Sequence, residues 1–422
     1  MKLIVDAAII GGGPAGMAAA LSLKNNEIQN IIILEREEYL GGILLQCIHN
    51  GFGLHKFNEE LTGPEYAERY TDMLNDNKIK FMTNTCVIDF AADNKDSKKI
   101  FAMSQQFGLV EIDAKAIILA MGCRERNRGN IAIPGSRPAG IMTAGLAQKL
   151  INRSGYMVGR EIVILGSGDI GLIMARRMTL EGAKVKAVVE IQPYPGGLNR
   201  NIVQCLNDFN IPLYLSHTIT NIKGNARVTE IDIAPINEFR EPNKTEEFTV
   251  KCDALLLSVG LVPENELSLN AGILIDKVTG GPVVNSHLMT NKNGIFACGN
   301  VLHVHDLVDY VSEESETCGE MAANYIKNKI VETYEIKVTA GNLVRYVLPS
   351  TLEPNKEATI SLRPMAPAEN VTLYVKAGNE ILFSKKFKKV FPSEMERIKI
   401  KNITKETSCV NVFFQKNSEA QA

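Results

Sequence analysis

"VDAAIIGGGPAGMAAALSL", residues 5–23, opens with an apolar run, breaks at a cluster of glycines and continues in helix-favouring residues. Such a run before a glycine turn reads as a buried strand, and the Ala- and Leu-rich continuation reads as the helix that follows it. Gly11, Gly13 and Gly16 fall in the pattern G-x-G-x-x-G at the turn. The same grammar returns at residues 161–178, "EIVILGSGDIGLIMARRM", with Gly166, Gly168 and Gly171. One such fingerprint is a weak signal, and its surroundings supply the strength.

Glu35 closes the apolar run "NIIILE" 24 residues after Gly11, and Glu190 closes "VKAVVE" 24 residues after Gly166. Six residues beyond each acid stands a Gly-Gly pair, Gly41-Gly42 and Gly196-Gly197, and Tyr39 matches Tyr194. This is one unit used twice. The first glycine makes the tight turn, the second lets the backbone approach a pyrophosphate, and the third lets helix and strand pack closely. The diphosphate then meets the N–H groups and positive end of the helix. The acid accepts hydrogen bonds from an adenosine ribose. Glycines that served packing alone would not call for an acid at the end of both second strands.

The 422-residue chain is long enough for two or three domains with full cores. Its 45% hydrophobic and 22% charged residues are those of an ordinary globular protein. A formal net charge of -2 argues against a nucleic-acid binder. No window holds the roughly 18 apolar residues of a spanning helix, and the apolar amino terminus is too short for a signal peptide. The eight cysteines are scattered without any C-x-x-C, which excludes the usual zinc and iron–sulfur spacings and suits a reducing compartment. A cytoplasmic location is expected.

Two nucleotide sites suggest one flavin and one nicotinamide. Over about residues 4–330 the chain resembles the two-dinucleotide-binding-domain flavoproteins of the pyridine nucleotide–disulfide oxidoreductase superfamily. There the first fingerprint takes FAD and the second, inserted one takes NAD(P)H. "AIILAMGCRERNRG" (116–129) looks like the family's strand-plus-glycine motif, "ALLLSVGLVPEN" (254–265, with Ser258, Gly260 and Pro263) like its counterpart after the nicotinamide domain, and "NGIFACGNV" (293–301) like the second FAD motif. The resemblance therefore assigns Gly11, Gly13, Gly16, Glu35, Arg36, Gly42, Val87, Ala120, Gly122, Gly299 and Asn300 to FAD. It assigns Gly166, Gly168, Gly171, Glu190 and Gly260 to NAD. One position departs from the pattern: Asn300 stands where the family carries an Asp. An amide still accepts through its oxygen, so FAD binding is expected with one less negative charge near the diphosphate. Glu190 favours a free ribose 2′-OH and repels a 2′-phosphate, and Ile191 and Gln192 follow it where an NADP site would more often place Arg or Lys, so NAD(H) is expected.

"LEREEYLGGILLQC" (34–47) bears on where electrons go after the flavin. The family's disulfide follows the Gly-Gly as G-G-x-C-x-x-x-x-C, or sits as C-x-x-C in the nicotinamide domain. Here Cys47 stands singly, five residues after Gly42. A dithiol reductase needs two thiols in bonding range, so that reading is the weaker one. Cys47 remains the candidate catalytic residue, in a loop expected near the isoalloxazine where His49 would favour the thiolate. A lone cysteine is equally what a small buried apolar side chain looks like. In "NVLHVHDLVDYVSEES" (300–315), His303 and His305 lack a third ligand at metal spacing, so no metal site is expected. They are placed at the start of a helix, as flavin or partner contacts.

"GCRERNRGNIAIPGSRPAGIMTAGLAQKLIN" (122–152) and "GGILLQCIHNGFG" (41–53) resemble a narrower group. It comprises the FAD/NAD subunit accompanying anaerobic glycerol-3-phosphate dehydrogenases and the alpha-type subunits of opine, sarcosine and cyanide-forming amine dehydrogenases. The resemblance implies partners: a second dehydrogenase subunit that oxidises the substrate, or a small iron–sulfur or electron-carrier protein.

After about residue 331 six segments, from "LVRYVLPS" to "CVNVFFQ", alternate apolar and polar residues with turn signals between them, which predicts a small β-sandwich. From Lys337 onward 14 Lys and Arg oppose 8 Glu, so this part is basic and could attract the acidic remainder or an acidic partner. "KKFKK" also reads as a solvated edge strand. The expected fold is α/β, with two doubly wound Rossmann-like domains, the second inserted in the first, and a C-terminal all-β sandwich. The FAD domain takes residues 1–122 and 257–331, the NAD(P) domain 123–256, and the sandwich 332–422. The expected function is an FAD-dependent NAD(H) oxidoreductase, with hydride passing between nicotinamide and flavin, as one subunit of a glycerol-3-phosphate or amine/opine-type dehydrogenase. Two alternatives stay open: a stand-alone thiol, peroxide or disulfide reductase using Cys47, and a non-catalytic FAD-binding interaction or sensor protein.

Overall fold

A computed structural model describes residues 1–91, 97–328, 335–401 and 403–417. The chain divides into two compact units, one of Arg124–Val262 and one combining Met1–Cys123 with Pro263–Ala422.

The larger unit is built on the strand Lys2–Ile10. It pairs in parallel with Ile31–Leu34 on one side and Gly108–Leu119 on the other. Lys80–Met82 extends the first side and Ile295–Ala297 the second, both in parallel. Ile31–Leu34 is a run of four buried aliphatic residues with no polar alternation, as a strand covered on both faces requires. The helix Pro14–Asn25 supplies the crossover between the first two strands, and Gly63–Asp76 the next. The second begins in a capping box, where Thr62 N–H donates to Glu65 at 2.7 Å. An antiparallel ribbon, Thr85–Ala91 with Lys98–Ser104, then leads back to Gly108–Leu119.

The smaller unit repeats this plan. Glu161–Leu165 lies between Lys184–Glu190 and Ala254–Leu257, with Leu213–Leu215 and Ile141–Thr143 at the two edges, all parallel. The helix Asp169–Leu180 makes its first crossover. An antiparallel ribbon of His217–Gly224, Val228–Pro235 and Phe248–Lys251 again precedes the returning strand. The unit ends beyond Ala254–Leu257, so the sequence boundary at 256 cuts the strand that completes this sheet.

The carboxyl-terminal strands form a sandwich of a five-stranded and a three-stranded sheet around a core that includes Ile336, Ile360, Leu373 and Phe414. Among the described residues it has eight strands, not six. The two additions are Ile336–Ala340, whose alternating IKVTA the sequence reading passed over, and Thr351–Leu352, whose two residues are too short to announce themselves by alternation. The strand expected over 396–402 spans Glu396–Ile400, and Asn402 lies outside the described residues. So does the domain boundary placed at 331/332. Within "KKFKK", Lys385 pairs with Glu396 and Lys389 with Glu369, both partners belonging to the sandwich itself. No helix among the described residues is long and apolar enough to cross a membrane.

Candidate cofactor-binding site

The first glycine turn is shaped by close approaches. Gly11 has φ +108°, and a Cβ there would lie 2.4 Å from the Ala120 carbonyl oxygen. A Cβ on Gly16 would lie 1.9 Å from the Gly11 carbonyl oxygen. Gly13, by contrast, meets nothing nearer than Gly42 Cα at 4.0 Å, and it caps the helix Pro14–Asn25 with no side-chain hydrogen bond. No acid stands in that first turn. The helix end thus offers N–H donors beside an open backbone, and these residues fit a dinucleotide diphosphate.

Glu35 is buried beneath the turn. Its Oε2 accepts from Gly12 N–H at 2.7 Å and its Oε1 from Glu37 N–H at 2.8 Å. A carboxylate has about four acceptor positions, so this bonding leaves acceptor capacity for a ribose.

The second unit reproduces the arrangement. Gly166 has φ +98°, and its Cβ would lie 2.0 Å from the Ser258 carbonyl oxygen. Glu190 Oε2 accepts from both the N–H and the hydroxyl of Ser167, at 2.8 and 2.6 Å, while Oε1 accepts from Gln192 N–H at 2.9 Å. Ser258 Oγ accepts from Gly171 N–H at 3.0 Å. One difference is Asp169 in the first helical turn, whose carboxylate is drawn aside by Leu198 N–H and the Asn201 amide.

Gly122 and Gly260 occupy equivalent places in their units, with φ +71° and +98°, and a Cβ at either would have nothing within 4 Å. Ala120 follows the strand Gly108–Leu119 and donates its N–H to the Ile10 carbonyl at 2.9 Å. Gly42 lies against Gly13, Arg36 is exposed just past Glu35, and Val87 is buried in the ribbon strand Thr85–Ala91. Gly299 has φ +71° and donates its N–H to Glu314 Oε1 at 2.8 Å. The amide of Asn300 is held by its own chain: Oδ1 accepts from His305 N–H at 3.0 Å, and Nδ2 lies 3.7 Å from Cys123 Sγ.

Two sequence expectations need correction. Cys47 ends the 3-10 turn Gly42–Gln46, and its Sγ donates to the Ile43 carbonyl at 3.3 Å. The residue is half-buried, and burial pushes its thiol up to about 12, the opposite direction from the thiolate expected beside His49. His303 and His305 do not begin the helix, which spans Val308–Ile326, and a third group does meet them: Glu314, one residue of that helix. His303 Nε2 lies 2.8 Å from Glu314 Oε2, and His303 Nδ1 lies 3.2 Å from the Tyr346 hydroxyl of the sandwich. Burial, then the neighbouring His305, lowers the His303 pKa. Burial alone would raise Glu314, yet the two imidazoles hold its carboxyl far below the usual range.

The sequence reading missed Glu314 and Tyr346 and gave Asp309 no role. Asp309 accepts from Gly53 and His55 N–H at 3.1 and 2.9 Å, tying the loop after Cys47 to the helix. The sandwich grips the same region: Arg363 pairs with Asp306 and donates to the Val304 carbonyl, and Arg397 pairs with Glu313 at 2.6 Å. Helical periodicity could have put Glu314 on the inner face, but nothing in the sequence tells that His303 folds back on it.

Residues 5–334 match the family described as pyridine nucleotide-disulphide oxidoreductase. The hydrogen cyanide synthase subunit HcnB of Pseudomonas aeruginosa is 25% identical over 63% of this chain and 59% of its own length. The chain therefore spans well under two thirds of that relative. The thioredoxin reductase of Listeria monocytogenes is 26% identical over 71% of this chain and 86% of its own. Among solved structures, Lactococcus lactis thioredoxin reductase aligns with a TM-score of 0.64 and 22% identity, covering 77% of this chain and 99% of that one.

Proposed function

Since the chain belongs to the pyridine nucleotide-disulphide oxidoreductase family, we propose that it is the NADH-exchanging FAD subunit of a multi-subunit dehydrogenase. It is an oxidoreductase dependent on FAD and NAD(P)H, which sets aside a purely structural flavin. When bound, nicotinamide and flavin supply the hydride transfer, and the protein contributes alignment and electrostatics. The residues of this chain do the holding. Gly13 and Gly168 open the helix ends to the diphosphates, and Glu35 and Glu190 receive the riboses. The charge on Glu190 favours NAD over NADP.

The observation that carries the subunit role is Cys47. Cys47 is a free thiol, already reduced, and pushed up to about 12 it stays protonated at neutral pH, a poor nucleophile toward a disulfide or peroxide, so the electrons of the flavin are better passed by another route. A partner that oxidises glycerol 3-phosphate or an amine-type substrate is the reading we favour, in keeping with a relative named as a synthase subunit.

A second reading, a stand-alone thiol or disulfide reductase, is favoured by the thioredoxin reductase match across 86% of that protein's length. Anaerobic stopped-flow titration with NADH, following the oxidised-flavin absorbance, separates the two. Bleaching that consumes one NADH per FAD supports the subunit role. Two NADH per FAD reveals a second redox pair and favours the reductase. Absence of bleaching overturns both for the isolated chain.

A further inference from the structure

His303 and His305 flank Val304 just after the 3-10 turn Gly299–Val301, and Glu314 reaches them from the helix Val308–Ile326. The two imidazole rings lie 4.3 Å apart, centroid to centroid. Glu314 Oε2 stands 2.8 Å from His303 Nε2 and 3.4 Å from His305 Nε2, and one ligand atom from each side chain lies within 4.8 Å of the others. We propose that these three side chains bind one first-row divalent metal ion, zinc foremost, in a buried site beside Gly299 and Asn300.

The spacing suits an ion. Tetrahedral zinc with bonds of about 2.0–2.1 Å sets its ligand atoms about 3.3 Å apart, so small side-chain shifts complete the geometry. Two imidazoles and one carboxylate are a borderline donor set that first-row divalent ions take, and three protein ligands leave one position for water.

The outer atoms are a second, independent observation. Each ligand points one atom inward and has the other held from behind. His303 Nδ1 lies 3.2 Å from the Tyr346 hydroxyl, His305 Nδ1 lies 3.3 Å from Asn300 Oδ1, and Glu314 Oε1 accepts from Gly299 N–H at 2.8 Å. Such outer partners fix the tautomer and orientation of metal ligands. His305 is the telling case. Asn300 Oδ1 can only accept, so it holds His305 through an Nδ1–H and turns Nε2 toward a carboxylate oxygen 3.4 Å away. An electropositive bridge between that nitrogen and that oxygen satisfies both. It is either a metal ion or a second proton, and the buried carboxylate calls for the same positive charge.

The test uses the full, untagged chain grown in defined medium supplemented with zinc, iron or cobalt, purified without chelator and analysed by inductively coupled plasma mass spectrometry beside its FAD content. One metal per chain is expected, with zinc or iron identified by which is retained. Cobalt-grown protein should show ligand-field absorption distinct from the flavin bands. Glu314→Gln keeps an acceptor for Gly299 N–H and removes the anionic ligand, so retained metal should fall at least about tenfold. Tyr346→Phe, which removes only the outer hydroxyl, should weaken retention by about tenfold while leaving FAD content unchanged. Should Glu314→Gln not fold, the wild-type metal content and cobalt spectrum decide. Wild-type chain that is metal-free from all three media and lacks the cobalt bands overturns the proposal, and a shared proton then holds the cluster together.

Discussion

Glu190 holds Ser167 by both of its donors, with the backbone N–H at 2.8 Å and the hydroxyl at 2.6 Å from the same carboxylate oxygen. The acid we propose for the nucleotide is thus also the tie that shapes the glycine turn. Glu190→Gln separates the two roles, because an amide oxygen still accepts from Ser167 but carries no charge. The ratio of kcat/KM for NADH over NADPH should fall about tenfold, with little loss of stability. An unchanged ratio would show that the carboxylate serves the turn alone.

The glycines of the first turn should respond differently to a single methyl group. Gly11→Ala places Cβ 2.4 Å from a backbone oxygen at φ +108° and should abolish folding of the unit. Gly13→Ala meets nothing nearer than 4.0 Å, so the protein should fold and melt normally yet purify with little FAD. Gly122→Ala has room but keeps φ +71°, at a cost of about 1–2 kcal/mol. Flavin content and Tm, measured together, check all three.

Cys47 should be slow to alkylate. A thiol raised to about 12 is protonated throughout the neutral range, and its thiolate appears only as the pH approaches that value. At pH 8 labelling should lag a free thiol by about a thousandfold, read by mass spectrometry of the Cys47 peptide. Cys47→Ser should keep most NADH oxidation with an artificial acceptor. Fast labelling with loss of turnover would return the reductase reading to the front.

Arg363 and Asp306 form an ion pair whose side chains are 13% and 16% exposed, joining the sandwich to the segment after His305. Arg363→Met strands the carboxylate and should destabilise the protein by about 3–5 kcal/mol in urea unfolding. Lys2→Ala removes an exposed pairing with Glu111 and should cost under about 1 kcal/mol. Equal effects would mean the sandwich is not held through this pair.

The doubled Rossmann plan was legible because glycine spacing, strand-end acids and apolar runs are local features repeated at a fixed offset, as from Gly11 to Glu35 and from Gly166 to Glu190. The partners of those acids were less so. Ser167 and Glu37 meet them only once the turns close. Glu314 was illegible for another reason: its meeting with His303 depends on how the segment between Gly299 and Val308 folds back along the helix. Tyr346 lies in the carboxyl-terminal sandwich, 43 residues along the chain from His303. The hydroxyl's reach to His303 is a property of the sandwich's docking, and no pattern within its own strand encodes it.

The strand Ile295–Ala297 inserts beside Gly108–Leu119, pairing Ile295 with Ile117 although the whole of the smaller unit separates them along the chain. Synthesis therefore runs in a fixed order. The continuous Arg124–Val262 segment leaves the ribosome whole and can fold there, while the larger unit waits with an uncovered sheet flank until residues near 300 emerge. Completion of this sheet becomes a late event, and the nascent first half is the stretch exposed to mispairing. Pulse proteolysis of stalled chains should find the inserted segment protected well before the amino-terminal strands.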